Sequence, residues 1–170
     1  EKEDGAYHLR HNQQPCTKLD FEDQQLQLQP LWGAGFSFAR GHFVVQVPYD
    51  LYLPEVFQGE ESNIGIRSFT YGYDLYAPSK PVVYHYYKYP EGVRRKLNKD
   101  HRKFRFWDLP NYDEDIAVRA MQRLNSIIQL GTNDGDGYVF PTDLEQYGLG
   151  KLRTTEQYYR TFGIHTETQT

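Results

Sequence analysis

The chain has 170 residues, room for one domain with its own core, and a formal charge of −4 with both signs scattered along it. That balance argues against nucleic acid or an anionic membrane as the main partner, and no apolar run approaches the ~18 residues of a membrane span. Cys16 is the sole cysteine, so no disulfide closes within the chain and a reducing compartment suits it, while fifteen Tyr and ten Phe suit a tyrosine-rich core or a polar ligand cleft.

Residues 1–30 are polar and glutamine-rich, and the alternation in QQLQLQ predicts an edge strand. Residues 32–38 and 43–47 (FVVQV), aromatic and β-branched, read as two strands joined by a tight ARGH connection. Prolines bracket the aromatic loop VPYDLYLP. A helix is expected from Glu60 to Phe69, with acids crowding its first turn and Gly72 suited to its C-terminal cap. Strands at YDLYA and VVYHYY follow, and then a basic connection that contains RRKLNKDHRK. Over 113–130 an apolar stripe formed by Ile116, Ala120, Met121, Leu124, Ile127 and Ile128 predicts the clearest helix. A last short helix is expected from about Thr155 to Phe162, stopped by Gly163. Strands alternating with helices give an α/β layered domain.

Four places carry residues with chemical potential. Gly33-Ala34-Gly35 puts glycines in a predicted strand, which serves a bulge or the close approach of a ligand. Glu60 and Glu61 are adjacent like charges that need solvent, a helix N-terminus or a hydroxylic partner. Such a carboxylate orients a hydroxyl or takes its proton, or simply favours the helix start. His85, among Val and Tyr, suits a borderline divalent metal or a hydrogen-bonded strand position. Asp134, Asp136 and Asp143 are spaced partly like a calcium loop, but Thr132 stands at its first ligand position and Asp143 rather than Glu at its last, so a surface turn is the better reading. Arg67 can reach a phosphate or carboxylate, or pair with an acid.

Taken in order, GAGFSFARG, VPYD, FQGEE, IRSFTYGYDLYAP and VVYH, with the tail YGLGKLRTTEQYYRTFGIH, resemble one family. It is the retaining polypeptide α-N-acetylglucosaminyltransferases, among them cytoplasmic enzymes that modify hydroxyproline on a ubiquitin-ligase adaptor. The resemblance covers about 25–165 and implies a GT-A architecture with a mixed sheet and flanking helices. It also implies a UDP-N-acetylglucosamine (UDP-GlcNAc) donor, a protein acceptor, a divalent cation (Mn2+ or Mg2+) and a cytoplasmic location. By resemblance Glu60 and Glu61 form the catalytic acidic motif, and Gly33 and Gly35 lie by the donor sugar. Trp32, Phe36, Tyr49, Asp50 and Arg67 are then substrate-binding, and His85 is a metal ligand.

The fold's D-x-D metal motif, expected upstream of the glycine strand, does not precede Gly33, and the only Met is Met121. The expectation is therefore a single, incomplete catalytic domain over 1–170. Its active-site core would be 32–87 and its helical C-terminal part 88–170. Two alternatives are a non-catalytic interaction domain on the same scaffold and a calcium-regulated binding module. Nothing in the sequence signals an oligomeric state.

Overall fold

The computed structural model describes residues 2–3, 6–7, 9, 26–57, 59–80, 82–84, 110–130 and 142–166. Among these, strand pairing is limited to two antiparallel pairs. They are β1 (Lys2–Glu3) with β2 (Ala6–Tyr7), and β3 (Gln27–Leu28) with β4 (Tyr76–Ala77). The edge strand expected in QQLQLQ and the strand expected in YDLYA are thus partners of one another. No mixed sheet appears among the described residues.

The largest departure from expectation is FVVQV. Gly41–Gln46 is helix α1, and 32–38 is turn and irregular backbone rather than a strand. A strand would bury Phe43, Val45 and Val47 together. Instead Phe43 and Val47, four apart, are buried while Val44 and Val45 are 61% and 77% exposed. The helical spacing puts two large residues against one cluster, and that burial overrides the β-propensity of the valines. Residues 82–84 lie in no strand, and VVYHYY from His85 onward falls outside the described residues.

Helix α2 runs Glu60–Thr70, beginning at Gly59 in the left-handed region (φ 110) and followed by the left-handed Gly72 (φ 91). Every residue from Ser62 to Thr70 is buried, polar ones included, so α2 is the central element. Its hydroxyls turn back on local carbonyls: Ser68 donates to Gly65 and Thr70 to Arg67. Helix α3, Glu114–Ile128, starts where the Asp113 carboxylate accepts the Ile116 N–H at 3.1 Å. A short α4 (Leu144–Tyr147) precedes α5 (Thr155–Thr161), which opens on a Thr154/Gln157 capping box.

Ile66 and Phe69 of α2, Leu124, Ile127 and Ile128 of α3, and Tyr158 and Tyr159 of α5 make the main core. Phe43, Val47 and Ile64 make a second cluster on another side of α2, with Trp32 and Tyr73 against it. Gly65 lets α2 approach the 30–31 backbone: a Cβ there would strike the Pro30 carbonyl and sit 3.3 Å from the Leu31 Cα. Among the described residues no helix is long and apolar enough to cross a membrane.

Candidate functional site

The glycine loop and the acidic helix start, far apart in sequence, meet directly. The backbone N–H of Ala34, between Gly33 and Gly35, donates to Glu61 Oε1 at 3.0 Å. The Trp32 N–H donates to the Glu61 carbonyl at 3.2 Å, so the loop is laid over the first turn of α2. Glu60 and Glu61 are both half-buried there, at the end of the helix where its dipole favours negative charge.

The two glycines differ in kind. A Cβ on Gly33 would meet the Phe36 carbonyl at 2.7 Å, so the turn itself demands glycine. A Cβ on Gly35 would meet nothing within 4 Å among the described residues, and the residue is exposed. Only Gly35 leaves backbone open to an incoming molecule.

Aromatic rings flank the loop. Trp32 stacks on Phe43 at 4.8 Å, and its Nε1 donates to the Tyr49 hydroxyl at 3.0 Å. Tyr49 and Phe36 are 55% and 51% exposed, which leaves apolar faces beside hydrogen-bonding tips, a surface suited to a sugar.

Two residues expected to touch substrate are buried and engaged by other parts of the chain. Asp50 pairs with Arg123 at 2.8 Å, both side chains almost wholly buried, and it also accepts the Tyr52 N–H at 2.9 Å. Arg67 is fully buried and donates to the carbonyls of Pro48 (2.6 Å), Gly148 (3.3 Å) and Gln146 (3.3 Å) and to Asn63 Oδ1 (3.4 Å). Burial is the main cause that lowers its pKa to about 10, with Asp50 opposing. The physical reason for both reassignments is the same. A charge this deep is stabilised only by partners already in place, and these two use theirs to tie the VPYD loop to α2, α3 and the α4 region.

Arg123 was not expected from sequence. It borders the apolar stripe of the helix, seven residues after Ile116 and four before Ile127, where a long cationic side chain can equally turn out to solvent. Its Nη2 donates to the Thr142 carbonyl at 3.0 Å, and its guanidinium sits 5.0 Å from the Tyr52 ring centroid. Tyr52 in turn donates to Asp143 at 2.7 Å, and that bond is the first cause raising the phenol's pKa. Asp143 is therefore engaged with Tyr52, while Asp134 and Asp136 of the calcium-like loop lie outside the described residues. So do His85 and the basic RRKLNKDHRK run.

A family model described as Glycosyltransferase (GlcNAc) matches residues 6–168. The chain belongs to that family. The glycine loop, the acidic helix start and the aromatic rings thus lie in a chain of glycosyltransferase type. The match does not single out the narrower hydroxyproline-directed group. No curated protein and no solved structure gives a significant match.

Proposed function

We propose that the chain carries part of the catalytic domain of a GT-A glycosyltransferase. It would move N-acetylglucosamine from UDP-GlcNAc to a protein hydroxyl (hydroxyproline, serine or threonine) with retention. The observation that carries the reading is the Ala34 N–H to Glu61 bond. It fixes a carboxylate at the lip of an open glycine turn bordered by Trp32, Phe36 and Tyr49. A carboxylate so held orients a sugar or acceptor hydroxyl through a charge-assisted hydrogen bond. Gly35 admits the ligand against the backbone, and the aromatic faces cover its apolar side. Asp50 and Arg67 act at one remove, by holding the VPYD loop in place.

The UDP-sugar donor implies a divalent cation, Mn2+ or Mg2+, to offset charge on the departing diphosphate. Among the described residues no three His, Cys, Asp or Glu side chains gather as a set for one, and His85, the expected ligand, lies outside them. The chain's own groups that bind and orient the substrate are Glu61, Gly35 and the aromatic rings. A cytoplasmic setting accords with the lone Cys16.

The test is UDP-GlcNAc turnover by wild type and by Glu61→Gln, with Mn2+ supplied. Glutamine keeps an oxygen for the Ala34 N–H and loses only the charge. A fall of about a hundredfold in kcat/KM, or about 2.7 kcal/mol, is expected. Wild-type rates in Glu61→Gln would remove the carboxylate from the site. Since the chain carries part of the catalytic domain, the assay uses the whole catalytic domain, and a wild type that neither turns over nor binds UDP-GlcNAc would favour the interaction-domain reading.

A further inference from the structure

His42 has no role in the site above, and in sequence it sits in an ordinary-looking ARGH connection. The structure places it on the first turn of α1, exposed, with its ring stacked on Tyr73 at 5.6 Å between centroids. Tyr73 reaches it because the left-handed Gly72 turns the chain back immediately after α2.

The Tyr73 hydroxyl lies between two partners, Gln46 Oε1 and His42 Nδ1, the latter at 2.7 Å. A phenol has one proton. The Gln46 carbonyl oxygen can only accept, so the phenol proton goes there. With the Gln46 amide oxygen assigned to face Tyr73, the hydrogen between Tyr73 and His42 comes from the imidazole, which places it on Nδ1. In the neutral ring Nε2 consequently carries its lone pair outward from an exposed side chain.

The place of this nitrogen matters. Phe43, the next residue, has Trp32 stacked on it at 4.8 Å and Tyr73 edge-on at 5.1 Å. A ladder of rings, Trp32–Phe43–Tyr73–His42, therefore leads from the loop that holds Glu61 to the imidazole.

Resting on the glycosyltransfer reading, we propose that His42 Nε2 is a hydroxyl-binding position of this site. It accepts a hydrogen bond from an O–H of the donor sugar or of the acceptor, and Tyr73 and Gln46 set the tautomer that makes this possible. No proton is transferred; the imidazole orients the hydroxyl.

Two measurements on the full chain decide it. Long-range 1H–15N NMR of the imidazole should show Nδ1 protonated and Nε2 bare; the opposite tautomer overturns the proposal. Steady-state kinetics should compare His42→Asn, whose amide nitrogen overlies Nδ1 and keeps the bond to Tyr73, with His42→Gln, whose amide oxygen can take the place of Nε2. The substrates are UDP-GlcNAc with water as acceptor, and UDP-GlcNAc with peptides carrying hydroxyproline, serine or threonine. His42→Asn should raise one KM by about fivefold or more, and His42→Gln should restore it to within about twofold. A raised KM for UDP-GlcNAc assigns the hydroxyl to the sugar, and a raised KM for peptide assigns it to the acceptor. No rise in either, or a rise that His42→Gln fails to restore, overturns the proposal. Absence of any turnover by the whole wild-type catalytic domain would instead overturn the glycosyltransfer reading, and the tautomer then decides the geometry of His42 alone.

Discussion

Asp50→Asn isolates the brace beneath the VPYD loop. Asparagine has the shape of aspartate but leaves Arg123, 2% exposed in its side chain, without its buried counter-charge. Breaking such a pair from one side costs about 3–5 kcal/mol, because the remaining charge stays in low dielectric. Arg67 adds to this. It is close enough for Asp50 to stabilise its charge and for Arg123 to oppose it, so losing the carboxylate leaves two neighbouring cations. The upper half of that range is therefore expected. In a domain of this size it corresponds to a fall in Tm of roughly 8–20 °C. Urea unfolding followed by circular dichroism gives the free energy directly. Adding Arg123→Met removes the stranded cation, and the double variant should regain about 2 kcal/mol relative to the sum of the singles. A cost below about 1 kcal/mol for Asp50→Asn, or strict additivity in the double variant, would refute the brace. Loss of UDP-GlcNAc turnover with stability intact would return Asp50 to the ligand.

Other variants test neighbouring parts of the same account. Gly65→Ala gains up to about 1 kcal/mol of helix propensity but drives a methyl into the Pro30 carbonyl, which also accepts the Tyr158 hydroxyl at 2.8 Å. A net loss of about 1–2 kcal/mol is expected on urea unfolding, and a neutral or stabilised protein would contradict the close approach of α2 to 30–31. Gly35→Ala meets nothing, so stability should stay within about 0.5 kcal/mol while UDP-GlcNAc turnover falls; unchanged turnover would take Gly35 out of the site. Arg67→Lys replaces a planar head that spans three carbonyls by a point charge, and about 2–4 kcal/mol of stability should be lost. A loss below about 1 kcal/mol by denaturant would show that those carbonyls do not need the fork. Burial raises the phenol pKa of both Tyr158 and Tyr159 above the ordinary 10.0. Their contribution is complete below that ordinary value, where both states are neutral. It declines as pH rises beyond it, because the unfolded chain ionises first, and it is gone above the folded values. Urea midpoints should therefore drop between about pH 9 and about pH 11, and a constant midpoint would argue that the rings are not buried.

Helices α2, α3 and α5 were legible in the sequence because their signals are local. Asp113 caps α3 from one turn away, Thr154 and Gln157 cap α5, and the apolar stripe of α3 repeats at helical spacing. Helix α1 was not legible. A six-residue segment rich in valine offers too few periods to separate spacing of four from spacing of two, and the cluster around Phe43 and Val47 makes the choice. His42 escaped notice for a related reason: the residue that orients it, Tyr73, is 31 positions away.

The site divides along the same line. Composition and motif order determined that glycines, paired acids and aromatics occur in a glycosyltransferase-like series, since those are properties of residue type and spacing. Tertiary structure decided which of these residues meet and which are buried. It brought Ala34 to Glu61 across 27 positions, and it separated an obligatory glycine at 33 from an open one at 35. It also buried Asp50 and Arg67 against partners within the fold. A side chain's charge is written in the sequence, but its burial is a sum over contacts from distant segments. Burial decides whether that charge is available to a ligand or already committed to the fold.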